Sequence, residues 1–182
     1  MQAGAIYWNG QRVENPAEFF VPPCSAYTPQ VPQLFSSTLR HNMLLGLAKE
    51  EADLSEAIAL AVFERDLTAM PEKLETLIGS KGMRLSGGQL QRAAAARMFV
   101  RQPELLVFDD LSSALDVETE RLLWSRLFAA RSQTNSNVWL PTYLVVSHRR
   151  SVLQRADHII LLDQGKAIAE GKFADLSKTY FE

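Results

Sequence analysis

The N-terminal part of the chain alternates short apolar runs with turn-forming residues, which predicts short strands rather than helices. Apolar residues at 6–8 and at Val13 flank Asn9-Gly10, a dipeptide that readily adopts the positive φ angles of a tight hairpin turn. The chain should therefore begin with an antiparallel edge. Prolines punctuate the segment 16–32, so Gln30 should lie on an extended loop that follows a strand end.

Between residues 36 and 79 the apolar positions change to helical spacing. Leu54, Ile58 and Val62 recur at the interval of one helix face, and Thr38 is of the type that caps the start of a helix. This part of the chain should form an all-α lobe.

From residue 105 onward, short apolar runs alternate with helical stretches. The runs at 105–108, 144–146 and 159–162 have the pattern of strands that are buried on both faces of a parallel sheet. The polar segment 132–137 lacks periodicity and should be a surface loop, while 161–171 has the pattern of a hairpin. An α/β lobe should therefore follow the α lobe.

Composition narrows the functional classes. The chain has 182 residues, 47% of them hydrophobic, which is enough for one sizeable core. Its net charge of -2 argues against a nucleic-acid-binding surface, which needs an excess of Lys and Arg. Cys24 is the only cysteine, so no internal disulfide can form and a reducing compartment is expected. No apolar run reaches the roughly 20 residues that cross a bilayer.

The segment 85–89 predicts a helix start with unusual features. Ser86 and Gln89 form the S-x-x-Q pattern of a capping box ahead of an Ala-rich run. Gly87 and Gly88 occupy the first turn, where each glycine costs about 1 kcal/mol relative to alanine. Their presence indicates a close approach to the backbone, and a phosphate at the positive helix end is a good candidate. The alternative is an ordinary capped helix with a glycine turn.

Two apolar runs end in polar side chains. Asp109 and Asp110 follow the run 105–108, and His148 follows the run that ends at 146. Because the carboxyl ends of parallel strands meet at one sheet edge, where ligands bind, we expect these side chains to share that edge. The alternatives are helix caps for the two carboxylates and a structural role for the histidine.

In their order along the chain, these motifs resemble the ATPase cassettes of ABC transporters, and the resemblance covers about residues 4–175. The pentapeptide Leu85-Ser86-Gly87-Gly88-Gln89 matches the signature sequence of that family. The segment 105–110 resembles a Walker B strand, and 112–116, which ends in Asp116, resembles the D-loop that crosses to a second cassette. The segment 27–30, which ends in Gln30, resembles the Q-loop.

The resemblance implies a role for each site residue. Asp109 and Gln30 would hold Mg²⁺, directly or through water, and His148 would contact the γ-phosphate of ATP. The signature residues 85–89 and Asp116 would contact nucleotide at the interface with a second cassette. Asp110 stands where the family usually has Glu, and its side chain is one methylene shorter, so slow hydrolysis is expected.

One motif of the family is not in the sequence. A complete cassette holds the β and γ phosphates of ATP in a G-x-x-x-x-G-K-[ST] loop, and no such pattern occurs here. Gly165-Lys166 and Gly171-Lys172 lack the glycine that the pattern requires upstream. We therefore expect an N-terminally truncated cassette, inactive or very slow alone, with an incomplete sheet that leaves apolar surface uncovered.

The expected fold is α/β: a partial P-loop NTPase (RecA-like) parallel sheet with an inserted α-helical signature lobe and a short antiparallel N-terminal edge. One incomplete ATPase domain should extend over 1–182. Within it, 1–35 should hold the antiparallel edge and Q-loop, 36–102 the signature lobe, and 103–182 the Walker B and switch-histidine lobe.

The expected function is part of the nucleotide-binding domain of an ABC transporter, with ATP and Mg²⁺ as cofactors. The segment 78–82 lies where exporter-type cassettes contact their transmembrane helices, which favours export. The implied partners are a second cassette, arranged head to tail, and a transmembrane domain at the cytoplasmic face of a membrane; no nucleic acid is expected. The alternatives are a non-catalytic module that donates its signature to a partner, and an ABC ATPase outside transport.

Overall fold

An antiparallel hairpin forms at the N-terminal end of the chain. Strand β1 (Ile6–Trp8) pairs with β2 (Gln11–Val13) across a two-residue turn. Asn9 and Gly10 have φ angles of 49° and 78°, the left-handed values that this turn requires. The predicted antiparallel edge is confirmed.

The computed structural model describes residues 4–48, 50–79, 82–111, 114–130 and 139–181. The predicted loop 132–137 and residues 112–113 of the predicted D-loop lie outside the described residues, as do residues 80–81. Contacts divide the chain into two compact units, 1–145 and 146–182. That both belong to one domain stays a prediction.

Short helices fill the segment for which helices were predicted. They are α2 (Leu39–Leu44), α3 (Glu51–Leu60), α4 (Glu64–Ala69), a 3-10 turn (Lys73–Glu75) and α5 (Gly87–Phe99), after a first short helix α1 (Pro16–Phe19). Thr38 caps α2, since its side chain accepts a hydrogen bond from the amide of His41 at 3.1 Å.

The helical spacing predicted that Val62 lies on a helix, and this prediction is wrong. Helix α3 ends at Leu60, and Val62 has a φ angle of 57°, outside the helix. The amide of Phe63 donates to the carbonyl of Ile58 at 3.0 Å, a bond that closes helix ends where the chain turns through a left-handed residue. The turn directs Phe63, which is fully buried, back into the core.

The first unit is built around a sheet with the strand order β3 (Ser25–Thr28), β4 (Leu105–Asp109), β5 (Thr142–Val146). Strands β3 and β4 are parallel, with Thr28 beside Phe108. Phe108 packs on Trp124 of α6 (Val117–Ala130) at a ring distance of 5.4 Å, and Thr28 contacts the sulfur of Met98 on α5. Helices α5 and α6 therefore cover one face of the sheet.

The opposite face of this sheet is exposed at Tyr27 and along β5. Side chains alternate between the faces of a strand, so Tyr27, beside Thr28, points away from α5. Leu144 likewise points away from Tyr143, which stacks on Phe108. Tyr27, Leu144 and Val146 are 57%, 56% and 56% exposed. The prediction of burial on both faces is therefore wrong for β5, while uncovered apolar surface was expected and is found.

The second unit contains α7 (Arg150–Leu153), β6 (Ile159–Asp163), β7 (Lys166–Gly171) and α8 (Phe173–Tyr180). Strands β6 and β7 pair antiparallel, which confirms the hairpin but corrects the prediction of a parallel-sheet strand at 159–162. The reason is local: Gln164 and Gly165 have φ angles of 45° and 76°, so the chain reverses at once and β6 pairs with its neighbour in sequence. Among the described helices, none is long and apolar enough to cross a bilayer.

Candidate functional site

The segment 85–89 forms the predicted capped helix start. The hydroxyl of Ser86 accepts a hydrogen bond from the amide of Gln89 at 3.3 Å, and Oε1 of Gln89 accepts one from the amide of Ser86 at 2.9 Å. This reciprocal pair is a capping box and begins α5. Ser86 and Gly87 are exposed, whereas Leu85, Gly88 and Gln89 are half-buried. The turn therefore presents Ser86 and Gly87 to solvent.

The two glycines of this turn have different surroundings. A Cβ on Gly88 would lie 3.0 Å from the carbonyl oxygen of Ala114 and 3.2 Å from Nη1 of Arg92, so these neighbours would have to move by a few tenths of an ångström. Among the described residues, a Cβ on Gly87 would meet Cβ of Ala114 at 3.5 Å, an ordinary contact. The predicted close approach is thus real at Gly88, but the approaching group is the segment that leads to Asp116. Gly87 is the glycine of this turn that is exposed to solvent.

Three polar residues that the sequence interpretation did not single out hold the signature helix. Asp66 of α4 accepts hydrogen bonds from Nε2 of Gln89 at 3.1 Å and from Nε of Arg92 at 2.9 Å. Gln91, which is buried, donates from Nε2 to the carbonyl oxygen of Gln30. The signals for Gln91 and Arg92 were their places directly after the signature, whereas Asp66 lies 23 residues before Gln89 and carries no local signal.

Gln30 lies on an exposed loop after β3, as predicted, and its side chain reaches the second carboxylate. Nε2 of Gln30 donates to Oδ2 of Asp110 at 3.3 Å. With its NH₂ group turned to Asp110, the amide has its carbonyl oxygen left for another ligand. The structure therefore brings together Gln30 and the end of β4, which are 80 residues apart in the chain.

Asp109 has a neighbour that the sequence interpretation missed. The hydroxyl of Tyr27 donates to Oδ2 of Asp109 at 3.0 Å, across the β3–β4 pair. This hydrogen bond, with smaller contributions from desolvation and from the charge of Asp109, raises the pKa of Tyr27 above its usual 10.0. The alternation of Tyr27 with two buried neighbours on β3 is the signal that places it on the other face.

Asp110 is held in an uncommon conformation. Its φ angle is 50°, in the left-handed region that aspartate tolerates better than most residues. Its Oδ1 is buried and, among the described residues, has no hydrogen-bond partner. A buried carboxylate oxygen without a partner is costly, so this atom is suited to an additional ligand such as water or a cation.

The oxygens at this edge fit Mg²⁺, which accepts one or two protein carboxylates and completes its coordination with water and phosphate oxygens. Asp109, Asp110 and Gln30 offer such oxygens. In the part of the chain that the structure describes, no group of three or more His, Cys, Asp or Glu side chains could hold a metal ion by itself. The donor set therefore suits a metal that arrives with a phosphate ligand.

Asp116 caps helix α6. Its Oδ1 accepts a hydrogen bond from the amide of Thr119 at 2.9 Å. The pKa of Asp116 is lowered from 3.8, first by hydrogen bonding to the side chain of Thr119 and second by this amide. A structural role is thus present beside the predicted contact with a second cassette. His148 is exposed and belongs to the second unit, so its predicted place beside Asp109 stays a prediction.

A groove of about 500 Å³ lies beside the Q-loop segment. Its lining includes Pro29, Pro32 and Phe35 from the loop and Arg97 and Met98 from α5. Phe35 is 60% exposed. The groove is therefore an apolar surface with a cationic side chain, directly beside Gln30.

Comparison with known proteins agrees with these motifs. The family model for ABC transporters matches residues 1–113. P-glycoprotein 14 of Caenorhabditis elegans is 36% identical over 174 residues, which are 95% of this chain and 13% of that protein. The transport/processing ATP-binding protein ComA of Streptococcus pneumoniae (strain ATCC BAA-255 / R6) is 37% identical over 153 residues, 82% of this chain and 20% of ComA.

Among solved structures, a bacterial Atm1-family ABC exporter with ATP bound superposes with a TM-score of 0.84 at 30% identity. The match covers 97% of this chain and 30% of that chain. The chain belongs to the ABC transporter family, and its α/β fold matches part of the family's ATPase. It spans less than a third of the length of the relatives named here.

Proposed function

We propose that this chain is part of the nucleotide-binding domain of an ABC exporter. The observation that carries the proposal is the signature turn: a complete capping box with Ser86 and Gly87 exposed at the N-terminus of the 13-residue helix α5. Unpaired amides and the positive end of the helix dipole attract phosphate at such a place. The ATP-binding character of the family supports the same assignment.

Asp109 and Asp110, at the end of β4, supply the second half of the proposed chemistry. Asp109 and the carbonyl oxygen of Gln30 would hold Mg²⁺, which when bound neutralises phosphate charge. Asp110 would orient the attacking water through its Oδ1, which no described residue hydrogen-bonds. His148 is assigned to the γ-phosphate, and Asp116 to the contact between two cassettes, on the family resemblance alone.

The sequence contains no G-x-x-x-x-G-K-[ST] loop, so this chain has no backbone cradle of that kind for the β and γ phosphates. We therefore assign to it slow or absent hydrolysis on its own. A second candidate function follows from the same observation: a non-catalytic module that presents its signature to the ATP held by a partner cassette. The intact geometry of 85–89 favours it.

The proposed partners are a second cassette and a transmembrane domain, which would keep the chain at the cytoplasmic face of a membrane. Val31 and Phe35 beside the Q-loop are 67% and 60% exposed, and exposed apolar side chains in one loop indicate a protein contact. We assign the transmembrane partner to this loop because it adjoins Gln30. Substitution of both residues by Asp should abolish co-purification with that partner.

The central experiment measures ATP binding and Mg²⁺-dependent hydrolysis by the purified chain, alone and mixed with a complete exporter cassette. Alone, we expect no turnover. In the mixture, we expect tighter ATP retention by the complete cassette, and loss of that gain with Ser86→Ala. The control is Ser125→Ala, which removes an exposed serine from α6.

Each result decides between the candidates. Turnover by the chain alone overturns its assigned inactivity. Tighter retention that depends on Ser86 supports donation of the signature to a partner. Equal retention with and without the chain, or with and without Ser86, contradicts a role of the signature turn in binding ATP.

A further inference from the structure

The side chain of Asp66 contacts two residues of the signature helix at once. Its Oδ1 accepts from Nε2 of Gln89 at 3.1 Å, and its Oδ2 accepts from Nε of Arg92 at 2.9 Å. Nη2 of Arg92 lies 2.8 Å from the same Oδ2. The side chains of Arg92 and Asp66 are only 12% and 17% exposed, so water screens this ion pair weakly. One carboxylate thus joins α4 to the first turns of α5.

This contact determines which way the amide of Gln89 points. A carboxylate only accepts hydrogen bonds, so the NH₂ end of Gln89 must face Asp66. The other end, Oε1, then faces the backbone N–H of Ser86, where it lies at 2.9 Å. The reverse orientation would set two acceptors together at Asp66 and two donors together at Ser86. The orientation of the capping box is therefore determined by Asp66, a residue outside α5.

We propose that Asp66 is a positioning residue of the signature turn. By binding Gln89 and Arg92 it fixes the amide of Gln89, and through that amide it fixes the backbone of Ser86. The hydroxyl of Ser86 accepts from the amide of Gln89, so its own proton is directed elsewhere, toward the phosphate that the proposed function places there. The functional part of this inference rests on the proposed function; the structural part does not.

The structural part is tested by reversing the polarity of the contact. In Asp66→Asn, the side-chain oxygen turns to Arg92 and the NH₂ group faces Gln89, whose amide must then flip away from Ser86. In the double variant Asp66→Asn with Gln89→Glu, the new carboxylate accepts from Asn at one oxygen and from Ser86 at the other. Net charge is the same as in the parent protein, and the capping box is restored.

The measurement is amide hydrogen exchange at Ser86 by NMR. We expect about fivefold to tenfold faster exchange in Asp66→Asn, the loss typical of a helix cap, and recovery in the double variant. Glu64→Gln is the matched control, because Glu64 lies on the same helix and binds Arg126 at 2.6 Å, away from the signature. It should leave exchange at Ser86 unchanged.

Exchange at Ser86 that is no faster in Asp66→Asn than in Glu64→Gln overturns the proposal. If Asp66→Asn unfolds the chain, the double variant still decides, since it must regain the parent fold and exchange. If exchange at Ser86 is as fast in the double variant as in Asp66→Asn, the polarity of the contact between residues 66 and 89 is not what orients the capping box.

A measurement of ATP retention distinguishes failure of this inference from failure of the proposed function. In the mixture with a complete cassette, Asp66→Asn should weaken ATP retention about fivefold to tenfold, and the double variant should recover it. If the parent chain has no effect on ATP retention, the proposed function fails, while exchange at Ser86 still decides the role of Asp66. If only the exchange responds, Asp66 orients the cap but not a nucleotide contact, and the functional part is overturned.

Discussion

At the scale of single residues, Gly87 and Gly88 stand side by side and yet meet different surroundings. A Cβ on Gly88 would lie 3.0 Å from the Ala114 carbonyl, whereas the described neighbour of one on Gly87 is a methyl group at 3.5 Å. Alanine also favours helix by about 1 kcal/mol over glycine. We expect Gly87→Ala to be neutral or stabilising and Gly88→Ala to be less stable than Gly87→Ala by about 1–3 kcal/mol.

Urea unfolding of the two variants and the parent chain measures this difference. Each variant is the control for the other, because both add one methyl group to the first turn of the same helix. Equal free energies of unfolding for Gly87→Ala and Gly88→Ala would contradict the contact with Ala114.

Asp116 gives a prediction about pH. Its pKa in the folded chain lies below 3.8 because its carboxylate accepts hydrogen bonds from the side chain and from the amide of Thr119, so the unfolded chain binds the proton more readily. The stabilisation is present above the pKa of the unfolded chain and is lost as the pH falls through the lower folded value. We expect Asp116→Asn, which keeps a capping oxygen, to flatten this loss of stability at acid pH. Thermal melts between about pH 2 and 6 measure it.

The control for removing one carboxylate is Asp163→Asn at an exposed position of β6. This variant should retain the acid dependence that Asp116→Asn loses. An unchanged acid profile in Asp116→Asn would show that the cap on α6 does not depend on the charge of Asp116.

At the scale of elements, Arg97 binds α5 to α2 and to the loop that precedes α2. Its guanidinium donates to the carbonyl oxygens of Asn42 at 2.9 Å and of Gln33 at 3.0 Å, and to Oδ1 of Asn42 at 3.3 Å. Burial, and secondarily the charge of Arg101, lower the pKa of Arg97. An ammonium group cannot match this planar fork. Arg97→Lys should therefore lower the free energy of unfolding by about 1–3 kcal/mol in urea titrations.

Arg121→Lys is the control, because Arg121 is exposed on α6. A surface exchange of this kind is expected to change stability by less than about 0.5 kcal/mol. A similar loss in both variants would mean that the fork of Arg97 contributes nothing beyond its charge.

The elements that could be predicted from the sequence depend on neighbouring residues. The turn at Asn9-Gly10 and the capping box at Ser86 are formed within four residues of chain, so their patterns are sufficient. The pairing of β6 could not be predicted, because an apolar run does not specify whether its partner strand is adjacent in sequence or distant. The contact of Tyr27 with Asp109 spans 82 residues and follows only from the register of two strands.

In the candidate site, too, the residues within local motifs could be predicted from the sequence, whereas a contact between distant residues could not. The family motifs identified Gln30, Asp109, Asp110 and the segment 85–89, and the structure brings Gln30 to Asp110. Asp66 could not be found in this way, since nothing in its local sequence distinguishes it from an aspartate on the surface. It is recognised only when Gln89 and Arg92 are seen to share its carboxylate.

At the scale of the whole molecule, the exposed face of the sheet governs how the chain should behave in solution. Parallel sheets are usually covered on both faces, yet Leu144 and Val146 at the outer strand are each 56% exposed. Strand β5 is the last strand in the sheet order, so the described sheet ends there with an edge that other chains can pair with. We expect the isolated chain to self-associate through this strand as its concentration rises.

Leu144→Lys with Val146→Lys should oppose that association, because charged side chains on an edge strand disfavour pairing with another chain. Light scattering against concentration measures it, and we expect the double variant to remain monomeric at concentrations where the parent chain associates. Leu122→Lys on α6, where the leucine is 37% exposed, is the control for an added charge at an apolar surface position. If Leu122→Lys suppresses association equally, net charge rather than the edge of β5 controls it, and the expected role of the uncovered sheet is wrong.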